Sequence, residues 1–266
     1  HDQEIGSILN FNPSDCSHWK RGEKHIKSIS MFNTLAKKLD VETTLLHDLA
    51  SGNINLEEAY YEHKTSHLIN NTLKYINSYH DQEEILARYL SIKKLTDTIH
   101  IKMNFKNPPV YLPELFHVFE NINQQSIEII SDLSRILKVK SNHYTIQFKK
   151  TDMKSQTRMS IIHDLAKIIL KTKRDDFNYL LNFKDDIITF EELCFVANIM
   201  IPLTNLREEI KNVNIKKNSI SELNTSFWAP KTLINFQIHQ FFMFNIRPNQ
   251  NLYKEVINNK AIHNSP

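Results

Sequence analysis

Glycine is nearly absent from this chain, and its distribution constrains the backbone more than any motif does. The 266 residues include three, Gly6, Gly22 and Gly52, so the last 214 residues contain none. Any later position that needs a positive φ must be filled by Asn or Asp, or be absent from the fold. A glycine-rich phosphate loop beyond Gly52 is excluded for the same reason.

Between its break residues the chain reads as a succession of helices. Helical signals span Asp2–Leu9, Ser14–Lys20, Ser30–Leu39 and Thr43–Ala50, separated by Asn10, Asn12-Pro13, Gly22 and Gly52. Asn53 or Asn55 is placed to cap a helix from Leu56 onward, and another follows over Glu83–Ile101 after a break near Ser78–Asp81. The consecutive prolines of Lys106-Asn-Pro-Pro109 favour extended backbone and mark a boundary. Pro113–Asn121 and Gln125–Leu137 read as helices. His143–Phe148 alternates Tyr144, Ile146 and Phe148, as a half-buried strand does. Thr157–Thr172 is apolar on nearly all sides and is read as a buried helix. Phe190–Ile201, stopped by Pro202, is another, and Ile220–Phe227 and Pro230–Phe244 follow. The fold class this predicts is mainly α with a small β-sheet (α+β). The expected domains are a bundle over 1–52, a helical connector over 53–105, a second domain over 106–247 and a polar tail over 248–266.

Apolar content of 41% and charged content of 24% supply a sizeable core, and a formal charge of +3 does not by itself announce nucleic acid. Cys16 and Cys194 each fall within a helix and read as reduced core thiols. No apolar run approaches the roughly 18 residues of a membrane span, and the N-terminus lacks a signal-peptide core. A cytoplasmic protein without a membrane role is therefore expected.

Residues Ile5-Gly6-Ser7-Ile8-Leu9-Asn10-Phe11-Asn12-Pro13-Ser14-Asp15-Cys16-Ser17-His18-Trp19-Lys20-Arg21-Gly22 and Met31–Val41 supply a core from Ile5, Ile8, Leu9, Phe11, Cys16, Trp19, Phe32, Leu35, Ala36 and Leu39. Asn10 stands where a left-handed turn residue is needed, and Asn12 or Ser14 caps the next helix. This stretch resembles the helix-turn-helix of phage repressors and Cro, the XRE type. The resemblance implies that Asn12–His18 faces the major groove of double-stranded DNA, with Ser14, Asp15, Ser17 and His18 nearest base edges. Lys20, Arg21, Lys24 and Lys27 would lie against phosphates. It also implies that the motif's first helix is missing from this chain. Residues 1–52 carry 6 Lys/Arg against 7 Asp/Glu, a net of −1. A helical module kept for dimerisation or packing is the alternative reading.

A second constellation lies in Arg158-Met-Ser-Ile-Ile-His163-Asp164-Leu-Ala-Lys167-Ile-Ile-Leu170. Metallopeptidase helices of the H-E-x-x-H type place two imidazoles on one helix face while the Glu polarises a water. Here the first His is present, the Glu is Asp164, and the second His is Lys167, whose ammonium has no lone pair for a metal. Together with Asn107-Pro-Pro-Val-Tyr-Leu-Pro-Glu-Leu115 and Glu191-Glu-Leu-Cys-Phe-Val-Ala-Asn-Ile-Met-Ile-Pro202, this segment resembles the ImmA/IrrE family of bacterial metallopeptidases, which cut phage-type repressors. The resemblance implies a zincin-like domain and a degenerate metal site of His163, Asp164, Lys167 and Glu191, with Glu192 the alternative carboxylate. It implies no catalytic residue, no bound metal and no cofactor, because His163 and Glu191 make two ligands where a catalytic zinc takes three. Lys167 is expected to occupy the vacated metal volume and pair with Glu191, or else to extend to the edge of the cleft.

Elsewhere His100, His117 and His143 have no partner at ligand spacing, Lys171-Thr-Lys-Arg174 and Lys216-Lys217 read as solvated runs, and the aromatics of Phe236–Phe244 read as core or as an interface. The combined expectation is a cytoplasmic DNA-binding transcriptional regulator, homodimeric, with an inactive ImmA/IrrE-like domain that senses a small-molecule, peptide or protein ligand or holds the dimer. One alternative is an active or conditionally active zinc metallopeptidase acting on a repressor. Another is a protein–protein interaction module, an antitoxin or anti-repressor.

Overall fold

The computed structural model describes residues 3, 6–7, 10–21, 23, 29–123, 126–131, 136–140, 143–148, 154–173, 185–212 and 219–245. Among them the chain is mostly helical: α1 Pro13–Lys20, α2 Ile29–Leu39, α3 Thr43–Ala50, α4 Leu56–Ser78, α5 Gln82–Lys102, α6 Leu112–Asn123, α7 Ser155–Lys173, α8 Asp185–Met200, α9 Leu203–Asn212, α10 Ser219–Phe227 and α11 Lys231–Asn245. It divides into two compact units, residues 1–68 and 69–266, with the division inside α4. Helices grouped in sequence as one connector thus fall to different units. The start of α4 belongs to the first, and α5, with Ile85, Tyr89, Ile92 and Ile99 buried, lies in the core of the second.

The glycine deficit is met at the helix ends. Asn10 (φ 57), Asp40 (φ 53), Gly52 (φ 73) and Asn104 (φ 51) each take the left-handed position that closes a helix. The closing bonds are Phe11 N–H to the Gly6 carbonyl at 2.8 Å, Val41 to Ala36 at 3.0 Å, Asn53 to Asp48 at 2.9 Å and Phe105 to His100 at 3.0 Å. A fifth end, after α10, follows the same pattern with Trp228 (φ 49), a residue type that avoids this region.

In the first unit, Cys16, Phe32, Ala36 and Ala59 are buried, and Phe11 meets Trp19 edge to face at 5.4 Å. Asn55 caps α4 reciprocally with Glu58: the Glu58 amide donates to Asn55 Oδ1 at 2.9 Å, and the Asn55 amide donates to Glu58 Oε2 at 2.7 Å. Of the expected Asp2–Leu9 helix, only Gln3, Gly6 and Ser7 are among the described residues.

In the second unit α8 is the central helix, buried on every side from Phe190 to Met200, with α5, α7 and α11 packed around it. Three strands, β1 Ser126–Ser131, β2 Ile136–Lys140 and β3 His143–Phe148, form a sheet of order β1-β3-β2. β1 runs parallel to β3 and β2 antiparallel to it. The helix expected over Gln125–Leu137 is therefore two strands. Its Ile127, Ile129, Ile130 and Ile136 are β-branched, and pairing with β3 overrides a helical reading of so short an apolar run. A helix was also missed: α9 begins directly after Pro202, whose carbonyl accepts from Leu206 at 2.8 Å. Proline at a helix start loses no hydrogen bond, so it restarts the chain here as well as ending α8.

Candidate functional site

In the first unit α1 carries the residues expected to read DNA. Asn12 is its N-cap, with Oδ1 accepting from the Ser14 amide at 2.9 Å. Cys16 faces the core, while Asn12, Ser14 and Lys20 are exposed and Asp15, Ser17 and His18 are half-buried. Gly6 lies against the turn: a Cβ there would stand 2.8 Å from the Phe11 carbonyl oxygen, so the site admits no larger residue without backbone movement. Lys24 and Lys27 lie outside the described residues.

The end of α1 holds an interaction that sequence reading missed. Glu23 takes Arg21 through two bonds, Nε to Oε1 at 2.7 Å and Nη2 to Oε2 at 3.1 Å, and its Oε2 lies 2.6 Å from His18 Nδ1. Arg21 Nη1 also donates to Ser17 Oγ at 2.8 Å. The Arg21 guanidinium, helped by His18, holds the Glu23 carboxyl below its ordinary pKa. Two of the residues assigned to DNA, Arg21 and His18, are thus gathered on one exposed carboxylate, and a third, Ser17, accepts from Arg21. The Glu23 amide reaches the His18 carbonyl at 2.9 Å, and that turn creates the cluster.

In the second unit α7 and α8 pack together and present the peptidase-like positions. Half-buried His163 places Nε2 3.0 Å from Oε2 of buried Glu192, but the approach is not aligned as a hydrogen bond. Asp164 is buried and Lys167 is exposed. The expected Lys167–Glu191 pair gives way to another. Arg88 of α5 donates Nη1 to Glu191 Oε1 at 2.7 Å, both side chains fully buried, and bonds Glu84 through Nε at 2.9 Å. The physical reason is desolvation. A fully buried carboxylate needs a cation that is buried with it, and α5 packs directly against α8.

Burial works against the Arg88 charge, but its bonds to Glu84 and Glu191 outweigh that and raise its pKa. Tyr79 donates its hydroxyl to the other oxygen of Glu84 at 2.8 Å and is pushed up to about 12, chiefly by that bond. Burial, with the Glu191 charge beside it, raises the Cys194 thiol well above its ordinary value, which makes it an inert core residue. Both cysteines are free and buried.

Two metal-type ligands, His163 and Glu192, therefore meet, and among the described residues no third His, Cys, Asp or Glu joins them. These residues do not fit a catalytic zinc, which takes three protein ligands and an open position. Among the described residues no single helix is long and apolar enough to cross a membrane.

Neither family models, curated proteins nor solved structures match this chain.

Proposed function

We propose that the chain is a DNA-binding transcriptional regulator whose second unit is zincin-like and no longer a peptidase. The observation that carries the DNA-binding half is the α1 arrangement. The turn at Asn10 and the Asn12 cap leave Ser14, Lys20 and Arg21 exposed and Ser17 and His18 half-exposed, with Cys16 turned inward. In helix-turn-helix proteins the recognition helix enters the major groove with its N-terminal residues at base edges. What supports the loss of peptidase chemistry is the capture of Glu191 by Arg88, together with the exposure of Lys167. The helical module would act as a homodimer, since repressor-type modules read paired half-sites.

The test is selection of a bound duplex from random DNA with the full chain, followed by titration against salt. Specific binding is expected, with an affinity that falls steeply as salt rises. Arg21→Ala should lower the salt slope by about one. Equal, weak binding to all sequences would overturn the reading. Metal content compared with His163→Ala tests the other half: near one equivalent of zinc, lost in that variant, would mean that the site is a working metal centre.

A further inference from the structure

Arg158, in the first turn of α7, is almost fully buried, at 3% exposure. Its guanidinium makes one hydrogen bond, from Nη2 to the Val110 carbonyl, and stacks under Trp228 with Cζ 4.6 Å from the ring centroid. Its Nε is buried with no partner, and among the described residues no carboxylate faces it. Buried charges are otherwise paired, and a lone one is costly. Arg88 in the same unit shows the ordinary solution, with two carboxylates on one guanidinium. The first turn of α7 carries no acidic residue.

The cover over this charge is itself anomalous. Trp228 is 42% exposed, although a large aromatic ordinarily buries its area. It holds φ 49 at a helix end where this chain elsewhere uses Asn, Asp or Gly. Backbone strain of this kind marks a functional position when the surroundings enforce it. Here Asn224 does so, donating Nδ2 to the Ala229 carbonyl at 2.6 Å across the turn.

We propose that Arg158 is the base of a binding site for a small oxyanion, a carboxylate or a phosphate, and that Trp228 is its displaceable cover. The guanidinium offers Nε and its remaining donors as the planar fork that such an anion takes. Binding would supply the missing counter-charge and exchange the Trp228 ring face for an ion pair. The site is independent of DNA recognition and of metal at His163.

Trp228 reports directly on the test. With Trp19→Phe it becomes the sole tryptophan of the full chain, and its emission is followed against inorganic phosphate, acetate and, at matched ionic strength, chloride. A saturable change with phosphate or acetate but not chloride is expected, and the two oxyanions separate the ligand classes. Arg158→Lys should weaken that response roughly tenfold, the loss of a charge-assisted bond. A response that tracks ionic strength alone, or that is unchanged in Arg158→Lys, overturns the proposal. Should Arg158→Lys fail to fold, Trp228→Asn decides through the thermal midpoint. Removing the cover should enlarge the oxyanion-dependent rise in midpoint, and no rise beyond that with chloride overturns the site.

Discussion

Two arginine–glutamate clusters, one in each unit, show how the same chemistry serves different ends. In the first unit Glu23 holds Arg21 and His18 in water, with 49% of its side chain exposed. In the second, Glu191 and Arg88 are both fully buried. An exposed pair gives up little when it opens, because water and salt replace each partner. A buried pair cannot open, because either ion alone is stranded in a dry core. The Glu23 cluster is therefore available to exchange partners, a phosphate for a carboxylate. The Glu191 cluster is a fixture that pins α5 to α8.

The largest effect that would break this comparison is on stability. Glu191→Ala, which strands Arg88, should cost about 3–5 kcal/mol in denaturant unfolding of the second unit. Arg88→Met with Glu191→Leu should restore most of it, since a packed apolar pair commonly matches a buried ionic one. A loss below 1 kcal/mol for the single variant would mean that the pair is not fixed.

Gly6→Ala tests whether the α1 turn is as rigid as its contacts imply. The added methyl meets backbone, the Phe11 carbonyl, at 2.8 Å. A loss of about 1–3 kcal/mol in the first unit is expected, with the proposed DNA binding weakened in parallel, and wild-type stability would show that the turn gives way freely.

The two units should also part company with pH. Burial lowers the pKa of His100, whose Nε2 lies 3.1 Å from the Ile199 carbonyl, and burial lowers His239 as well. The folded state then binds fewer protons than the unfolded state just below the ordinary histidine value of 6.5. The stability of the second unit should be full above pH 6.5 and fall as pH drops from there toward the depressed values. His100→Gln should flatten that slope in unfolding measured between pH 7.5 and 5.5. Glu23, lowered from 4.5 by Arg21 and His18, contributes above that value and loses its contribution only in stronger acid. A first unit that unfolds alongside the second near pH 6 would contradict this division.

The smallest effect on stability sharpens the functional contrast most. Glu23→Gln should leave the unfolding midpoint unchanged and tighten the proposed DNA binding, because it frees Arg21 and His18 and removes a charge that repels phosphate. Unchanged or weaker binding would show that Glu23 positions these residues instead of occupying them.

Which features were legible follows from how far apart their causes lie in the chain. The left-handed turn at Asn10, the helix start at Asn12, the bounds of α3, and the alternation of Tyr144 and Ile146 in β3 depend on residues a few positions apart. Local steric and capping rules reach that far. The Glu23 cluster lay at the limit, since His18 and Glu23 are five residues apart and meet only because the chain turns after α1. The strands β1 and β2 were misread because a short run of isoleucines is ambiguous until β3 is beside it.

Sequence alone determined that the chain is mostly helical, where many of its helices end, and that Lys167 cannot ligate a metal, because each of these is a property of single residues or of near neighbours. Only the tertiary structure decided which carboxylate each cation meets. Arg88 reaches Glu191 across 103 positions, while His163 meets Glu192 and Arg158 meets none among the described residues. Side chains distant in sequence are paired by how the helices pack, and in a dry core that pairing sets the cost of every charge.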